Sequence, residues 1–275
     1  MMRIGVFAKT FAGSSPLPVL TAVKEAGFDC AQFNLACAGL PALPEAVPQE
    51  VLAAIRAAVA ASGVELVALS GTANLIHPDP SAREAGLRQV GVVIETARAL
   101  AIPMVTLCTG TRDPVDPWRH HPGNADPSAW TDLRSALETI LPRAEAAGID
   151  LGIEPEGGNV VTGAAKARRL LDEMATPRLR IVLDPANLFE HGSAEDVRRL
   201  VDEAIDLLGP DIAMAHAKDR LGDGRIVPAG RGIVDFDALL ARLRAGGFDG
   251  PVVAHGFEAK DAVDVAAFLA RKVAR

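Results

Sequence analysis

A single-domain (β/α)8 barrel, or TIM barrel, over residues 1–275 is the fold class that this sequence predicts. Three observations point to it. Strand-like and helix-like segments alternate eight times along the chain. The length of 275 residues suits one such barrel, for which roughly 250 is typical. Polar residues recur at the carboxyl ends of successive apolar runs: Glu154 in DLGIEPE, Asp184 in RIVLDPANL, His216 in IAMAHAKD and His255 in GPVVAHGF. They are 30, 32 and 39 residues apart, about one strand–helix unit each.

The elements follow in order. RIGVFAK (3–9) reads as the first strand, and a helix runs from about Pro16 to Gly27. FDCAQFNL (28–35) is the second strand. The helix over 48–62 puts Val51, Leu52, Ile55 and Val59 on one face, the 3.6-residue period. Gly63 ends it as a C′ glycine. VELVALSGTAN (64–74) is the third strand, and a long helix follows with Leu87, Val90, Ile94 and Ala97 inward. PMVTLCTG (103–110) is the fourth strand. A polar loop over about 111–130 is long for a strand-to-helix connection, which marks it as functional or disordered. A helix to Gly148 leads into the fifth strand, which ends in Glu154 and Glu156. Ala167, Leu170, Leu171 and Met174 stripe the next helix, and the sixth strand ends at Asp184. Val197, Leu200, Val201, Ala204 and Leu208 stripe another, and the seventh strand ends at His216 to Asp219. Phe236, Leu239, Leu240 and Leu243 mark the seventh helix; GPVVAHGF is the eighth strand, and a last helix runs to the C-terminus.

Bulk properties exclude several classes. The net charge of −7 argues against a nucleic-acid binder, which needs a basic footprint. No apolar stretch reaches the roughly 18 residues of a membrane span. Three cysteines, Cys30, Cys37 and Cys108, have no metal-ligand spacing and fit a reducing, cytoplasmic setting. No glycine fingerprint for a dinucleotide follows the first strand.

Side chains alternate along a strand, so Glu154 and Glu156 share one side while Leu151 and Ile153 face the helices. By the same rule Asp184, His216, Lys218 and His255 point into one mouth of the barrel. Carboxylates and imidazoles converging there suit Mn²⁺, Fe²⁺, Co²⁺ or Zn²⁺, and Mg²⁺ less well. Each residue also has a plain alternative, as a helix cap, a core histidine or, for Lys218 with Asp219, a surface ion pair. Cys108 reads as small core filling, and His77 as a loop histidine near the mouth.

Several segments together resemble the xylose isomerase-like TIM barrels, specifically the sugar phosphate isomerase/epimerase group. They are IEPEGGNVV (153–161), VLDPANL (182–188), HAKD (216–219), GRGIVDF (230–236), FDGPVVAHGFE (248–258) and the loop GTRDPVDPWRHHPGN (110–124). The resemblance implies one divalent metal held by Glu, Asp, His and Glu from strands five to eight. Glu154, Asp184 and His216 match the first three; His255 stands where the family has its second glutamate. In the epimerases the two metal-bound glutamates also move protons on either face of the substrate. Here His255 is either a ligand or the second acid/base.

The implied activity is isomerisation or epimerisation of a sugar, sugar phosphate or polyol by proton transfer next to a carbonyl, through an enediolate. Glu154, His255, Lys218 and Glu156 are the candidate catalytic residues. Asn159, Asn187, Arg112, Trp118 and His121 are the candidate substrate contacts. The expected partner is a small carbohydrate, with no nucleic acid or membrane, and homo-oligomers are compatible with the family. Two alternatives remain open: dehydration of an inositol or polyol derivative, and a catalytically altered sugar-binding barrel. The superfamily's three-zinc DNA-repair endonucleases need further histidines where this chain has LCTG, Asn187 and GRIVP.

Overall fold

The structure, a computed structural model, describes residues 2–274. Its barrel strands are β1 (Arg3–Phe7), β2 (Cys30–Phe33), β3 (Glu65–Ser70), β4 (Met104–Leu107), β5 (Asp150–Ile153), β6 (Leu179–Leu183), β7 (Ile212–Arg220) and β9 (Pro251–Ala254). Neighbours pair in parallel around the ring, and β6–β7 and β1–β9 pairing closes it. The helices between them are α1 (Pro16–Glu25), α2 (Gln49–Ser62), α3 (Pro80–Ala99), α4 (Pro127–Ala147), α5 (Ala164–Met174), α6 (Ala194–Leu208), α7 (Phe236–Ala245) and α8 (Ala262–Val273).

Local chemistry sets the helix ends. Pro80 follows an Asp79 side chain that accepts from the Ser81 N–H, which fixes the start of α3. Ser193 and Asp196 form a reciprocal capping box at the start of α6. Gly63 ends α2 at φ 67°, a left-handed conformation that a Cβ disfavours. The helix stripes expected from the sequence face the strands: Ile55, Val90, Ile94, Leu170, Val201 and Leu239 are buried in one continuous outer core.

A second, smaller core fills the barrel. Cys30, Val67, Ala68, Met104, Val182, Met214 and Val253 pack there. Gly152 belongs to this level: a Cβ on it would come within 3.0 Å of both Met104 Sδ and Val182 Cγ2. Two residues further along each strand the period-two rule delivers the next inward layer. Val182 leads to Asp184, Met214 to His216, Val253 to His255 and Gly152 to Glu154. The apolar plug is therefore the floor of the mouth.

Two features differ from expectation. The strands stop earlier than the apolar runs do: β1 ends at Phe7, β2 at Phe33, β3 at Ser70 and β4 at Leu107. Their last residues leave the ladder to build the rim, as Ala8–Thr10 and Leu35–Ala38 do in short 3₁₀ turns. Conversely β7 is long, because Lys218–Arg220 pairs antiparallel with β8 (Ile226–Pro228). That arm is held by Asp219, whose buried carboxylate accepts from the N–H groups of Arg220, Gly230, Gly232 and Val234. Lys218 and Asp219 are thus both buried and committed separately, and form no surface ion pair. No helix is long and apolar enough to cross a membrane among the described residues.

Candidate active site

The carboxyl ends of the strands surround a cavity of about 430 Å³, within the range of small-ligand sites. Glu154, Glu156, His216, Lys218 and His255 line one side. Phe7, Lys9, Gln32, Asn34, Ser70 and Thr72 line the other. Pro117 and Trp118 come in from the long loop, and Ala42 completes the wall.

On the first side, one ligand atom from each of Glu154, Asp184, His216 and His255 lies within 4.8 Å of all the others. Asp184 is its centre and is fully buried. Its Oδ2 is 2.9 Å from His255 Nε2, 3.1 Å from Lys218 Nζ and 3.9 Å from His216 Nδ1. Lys218 also donates to Asn187 Oδ1, and Asn187 donates to Glu154 Oε1 at 2.8 Å. The two imidazole rings are 4.4 Å apart and tilted by 59°.

His216 is the most constrained member. Its Nε2 meets Gln32 Oε1 at 2.8 Å, and Gln32 in turn donates to Thr106 Oγ1 at 3.0 Å. Because that amide oxygen can only accept, the proton of a neutral ring sits on Nε2 and Nδ1 carries a lone pair. Nδ1 lies 3.2 Å from Glu154 Oε1, yet it is buried without a hydrogen-bond partner. A lone pair aimed between two carboxylates requires a cation among them, either a proton or a metal ion.

The charges shift one another accordingly. Burial opposes the Asp184 carboxylate, but Lys218 and His255 outweigh it and hold its pKa far below the ordinary value. Glu154 is likewise lowered, its burial outweighed by His216. Burial penalises the charged forms of His216 and Lys218, but the neighbouring carboxylates outweigh it and raise both. His255 is lowered, first by burial and then by the adjacent His216. Glu156 is pushed up to about 7 by burial, against the pull of Lys218.

Other candidates are engaged elsewhere. Asn159 is fully buried, accepting from Gly110 N–H at 2.8 Å and donating to the Pro117 carbonyl at 3.1 Å. It fastens the long loop and does not line the cavity. Arg112 is spent on the Ile76 carbonyl and on Asp132, 2.7 Å away. His121 accepts from the Gly123 N–H and caps the turn Pro122–Ala125. These three are structural because the loop is a built object, with Asn74 and Asn124 also bonding its backbone. Of its side chains singled out in the sequence, Trp118 alone lines the cavity, half exposed. His77 bonds the Pro114 carbonyl outside the cavity, and Cys108 is buried with its thiol pushed up to about 12 by burial. Asn187 touches Glu154 and Lys218, within the cluster and behind the cavity wall.

Sequence reading missed Phe7, Lys9, Gln32, Asn34, Ser70 and Thr72. The signal was available: Gln32 and Asn34 alternate after Cys30, and Ser70 and Thr72 after Ala68, in the register that located Glu154.

The chain resembles known proteins in sequence and shape. A 2-epi-5-epi-valiolone 7-phosphate 2-epimerase of Actinoplanes sp. is 29% identical over 140 residues, which is 50% of this chain and 46% of that protein. The matched stretch therefore spans less than half of that relative's length. The crystal structure of an E. coli 3-keto-D-glucoside 4-epimerase superposes with a TM-score of 0.75 at 19% identity, covering 98% of this chain and 100% of the other. The IOLI protein with a bound zinc atom superposes with a TM-score of 0.76 at 18% identity, covering 99% and 98%. At those identities the structural matches establish the barrel. The model of the xylose isomerase-like TIM barrel matches residues 20–272, a span that holds the whole Glu154–Asp184–His216–His255 cluster, and the chain belongs to that family.

Proposed function

We propose that this chain is a metal-dependent isomerase or epimerase of a sugar, sugar phosphate or polyol, working by proton transfer at the carbon next to a carbonyl. The observation that carries this reading is the buried, unpartnered Nδ1 of His216 facing two carboxylates in a cavity of small-ligand size. The donor set fits a divalent ion. Bonds of about 2.1 Å require ligand atoms only a few ångströms apart, and these four lie within 4.8 Å of one another. Glu154, Asp184 and His216 would hold the ion, with His255 beside them as the second acid/base, and when bound it would polarise a substrate carbonyl and offset the negative charge that grows there.

The remaining steps belong to side chains. Glu154 and His255 stand at the two ends of the arc β5–β6–β7–β9, so they reach a substrate from different directions. One takes the proton from carbon. The C–H electron pair becomes the double bond of an enediolate, and the carbonyl electrons move onto oxygen. Return of the proton to the neighbouring carbon, with a proton shift between the oxygens, gives the isomer; delivery to the opposite face of the same carbon gives the epimer. Lys218, at the cavity wall, donates a hydrogen bond to an oxygen of that intermediate. Gln32, Asn34, Ser70 and Thr72 offer neutral donors and acceptors to hydroxyl groups, and Trp118 and Phe7 exclude water. The epimerase names of the Actinoplanes relative and of the E. coli structural match support this reading.

The test is solvent exchange. The purified protein, loaded with Mn²⁺, Co²⁺ or Zn²⁺, is incubated in D₂O with a panel of ketoses, their phosphates and keto-polyols. Deuterium enters next to the carbonyl, stops on chelation and resumes when metal is restored. No exchange on any member by the metal-loaded protein contradicts the reading.

A further inference from the structure

One ammonium lining the cavity has no partner among the described residues. Lys9 lines it from the short turn Ala8–Thr10 after β1, is exposed, and makes no hydrogen bond or ion pair with the described residues. Its position follows from register: Gly5 packs on Cys30 inside the barrel, Phe7 lines the cavity and Lys9 is two residues further. The other lining ammonium, Lys218, is buried against Asp184 and Asn187. On the Lys9 side, the lining residues are otherwise Phe7, Gln32, Asn34, Ser70 and Thr72, with no acid among them.

The opposite side balances itself. Three carboxyl groups, Glu154, Glu156 and Asp184, stand with the Lys218 ammonium and the divalent ion that the cluster fits. With a histidine at position 255 instead of a further carboxylate, and with that ion bound, the interior would carry no surplus negative charge for Lys9 to neutralise. β1 is the direct neighbour of β9 and stands four strands around the ring from β5, so an unpaired ammonium at its end, lining the same cavity of about 430 Å³, is a receptor for an anion on a substrate whose reacting carbon faces Glu154.

We infer that Lys9 is an anion-recognition residue and that the natural substrate is a keto sugar or cyclitol bearing a phosphate or carboxylate at the end remote from the reacting carbon. This rests on the proposed function of the same site and narrows its substrate class.

The test is equilibrium binding, which needs no turnover. Titration calorimetry on the Mn²⁺-loaded protein compares three matched pairs: fructose 6-phosphate with fructose, fructuronate with fructose, and dihydroxyacetone phosphate with dihydroxyacetone. Wild type binds at least one anionic member about tenfold or more tighter than its neutral partner, the scale of one charge-assisted hydrogen bond. Whether the phosphates or fructuronate show the preference identifies the anion. Lys9→Ala brings that ratio towards one, Lys9→Glu inverts it and Lys9→Arg keeps most of it. Circular dichroism and metal content confirm that each variant is folded and loaded. No anionic preference in any pair, whether from equal binding or from none, overturns the inference, as does a preference that survives in Lys9→Ala. Deuterium exchange separates the two readings. Lys9-dependent binding without exchange leaves this inference standing and removes the isomerase; exchange on neutral sugars without preference does the reverse.

Discussion

Strands β5, β6, β7 and β9 end in Glu154, Asp184, His216, Lys218 and His255, whereas β1, β2 and β3 end in Phe7, Lys9, Gln32, Asn34, Ser70 and Thr72. Both arcs use the same register, two or four residues above the apolar plug. They differ in how far their groups are satisfied by one another. In the first arc each of these five groups has a partner within 4 Å, and Asp184 alone meets three cationic or imidazole groups. In the second, neutral amides and hydroxyls face open cavity, and Lys9 stands unpaired. The barrel supplies positions, and the residue types divide the work between holding a reacting centre and gripping the rest of a ligand. Beyond the β1–β9 ladder, one side-chain hydrogen bond among the described residues, His216 Nε2 to Gln32 Oε1, joins the arcs.

Removing the centre of the charged arc breaks the contrast most completely. Asp184→Ala leaves Lys218, His216 and His255 facing one another with a single carboxylate. Metal affinity falls more than a hundredfold, beyond the range expected for an outer-sphere partner, and exchange activity is lost. Elemental analysis and far-ultraviolet circular dichroism check that the metal goes while the fold stays.

His255 sharpens the division within that arc. His255→Ala keeps bound metal through the other three ligands while proton exchange falls about a hundredfold or more, the usual scale for a positioned acid/base. Loss of the metal instead makes His255 a ligand. His255→Glu strengthens metal binding, because it adds a carboxylate beside the other three ligands. Metal content and exchange rate measured together on both variants separate the two roles.

Gln32 asks whether the arcs are independent. It belongs to the neutral arc but fixes the His216 ring, so Gln32→Leu lowers metal affinity by about 10- to 100-fold. A change in sugar affinity with metal affinity untouched would mean that Gln32 serves its own arc only.

The smallest effect concerns the loop that roofs both arcs. Asn159→Ala leaves the Gly110 N–H and the Pro117 carbonyl without their partner and costs about 1–3 kcal/mol of stability. Denaturant unfolding reads this directly. Because the side chain faces the loop and not the cavity, metal affinity is unchanged.

What was legible in the sequence was the periodic part. The eight strand–helix units follow from apolar spacing, and Glu154, Asp184, His216 and His255 stood out because acids and imidazoles are rare at the ends of buried strands. Gln32, Ser70 and Thr72 obey the same register but are common residue types, so nothing marked them. Lys9 was hidden differently, in a turn assumed to be strand. Arg112, His121 and Asn159 were singled out for polarity near the mouth, and each proved to bond loop backbone or a loop-facing carboxylate. Spacing along one chain does not show which polar side chain a folded loop consumes for itself. The β8 arm was missed because three residues, Ile226–Pro228, are too few for a periodic signal.

The central claim is that the charged arc is a metal centre with His216 ligating through Nδ1. Anomalous diffraction at the metal edge from crystals grown with Mn²⁺ or Zn²⁺ tests it most directly. The account predicts one strong peak per chain, about 2.1 Å from His216 Nδ1 and bonded to Glu154 and Asp184, with Nε2 still on Gln32. Metal-replete crystals with no peak in the cluster, or with the ion bound away from His216 Nδ1, would contradict it.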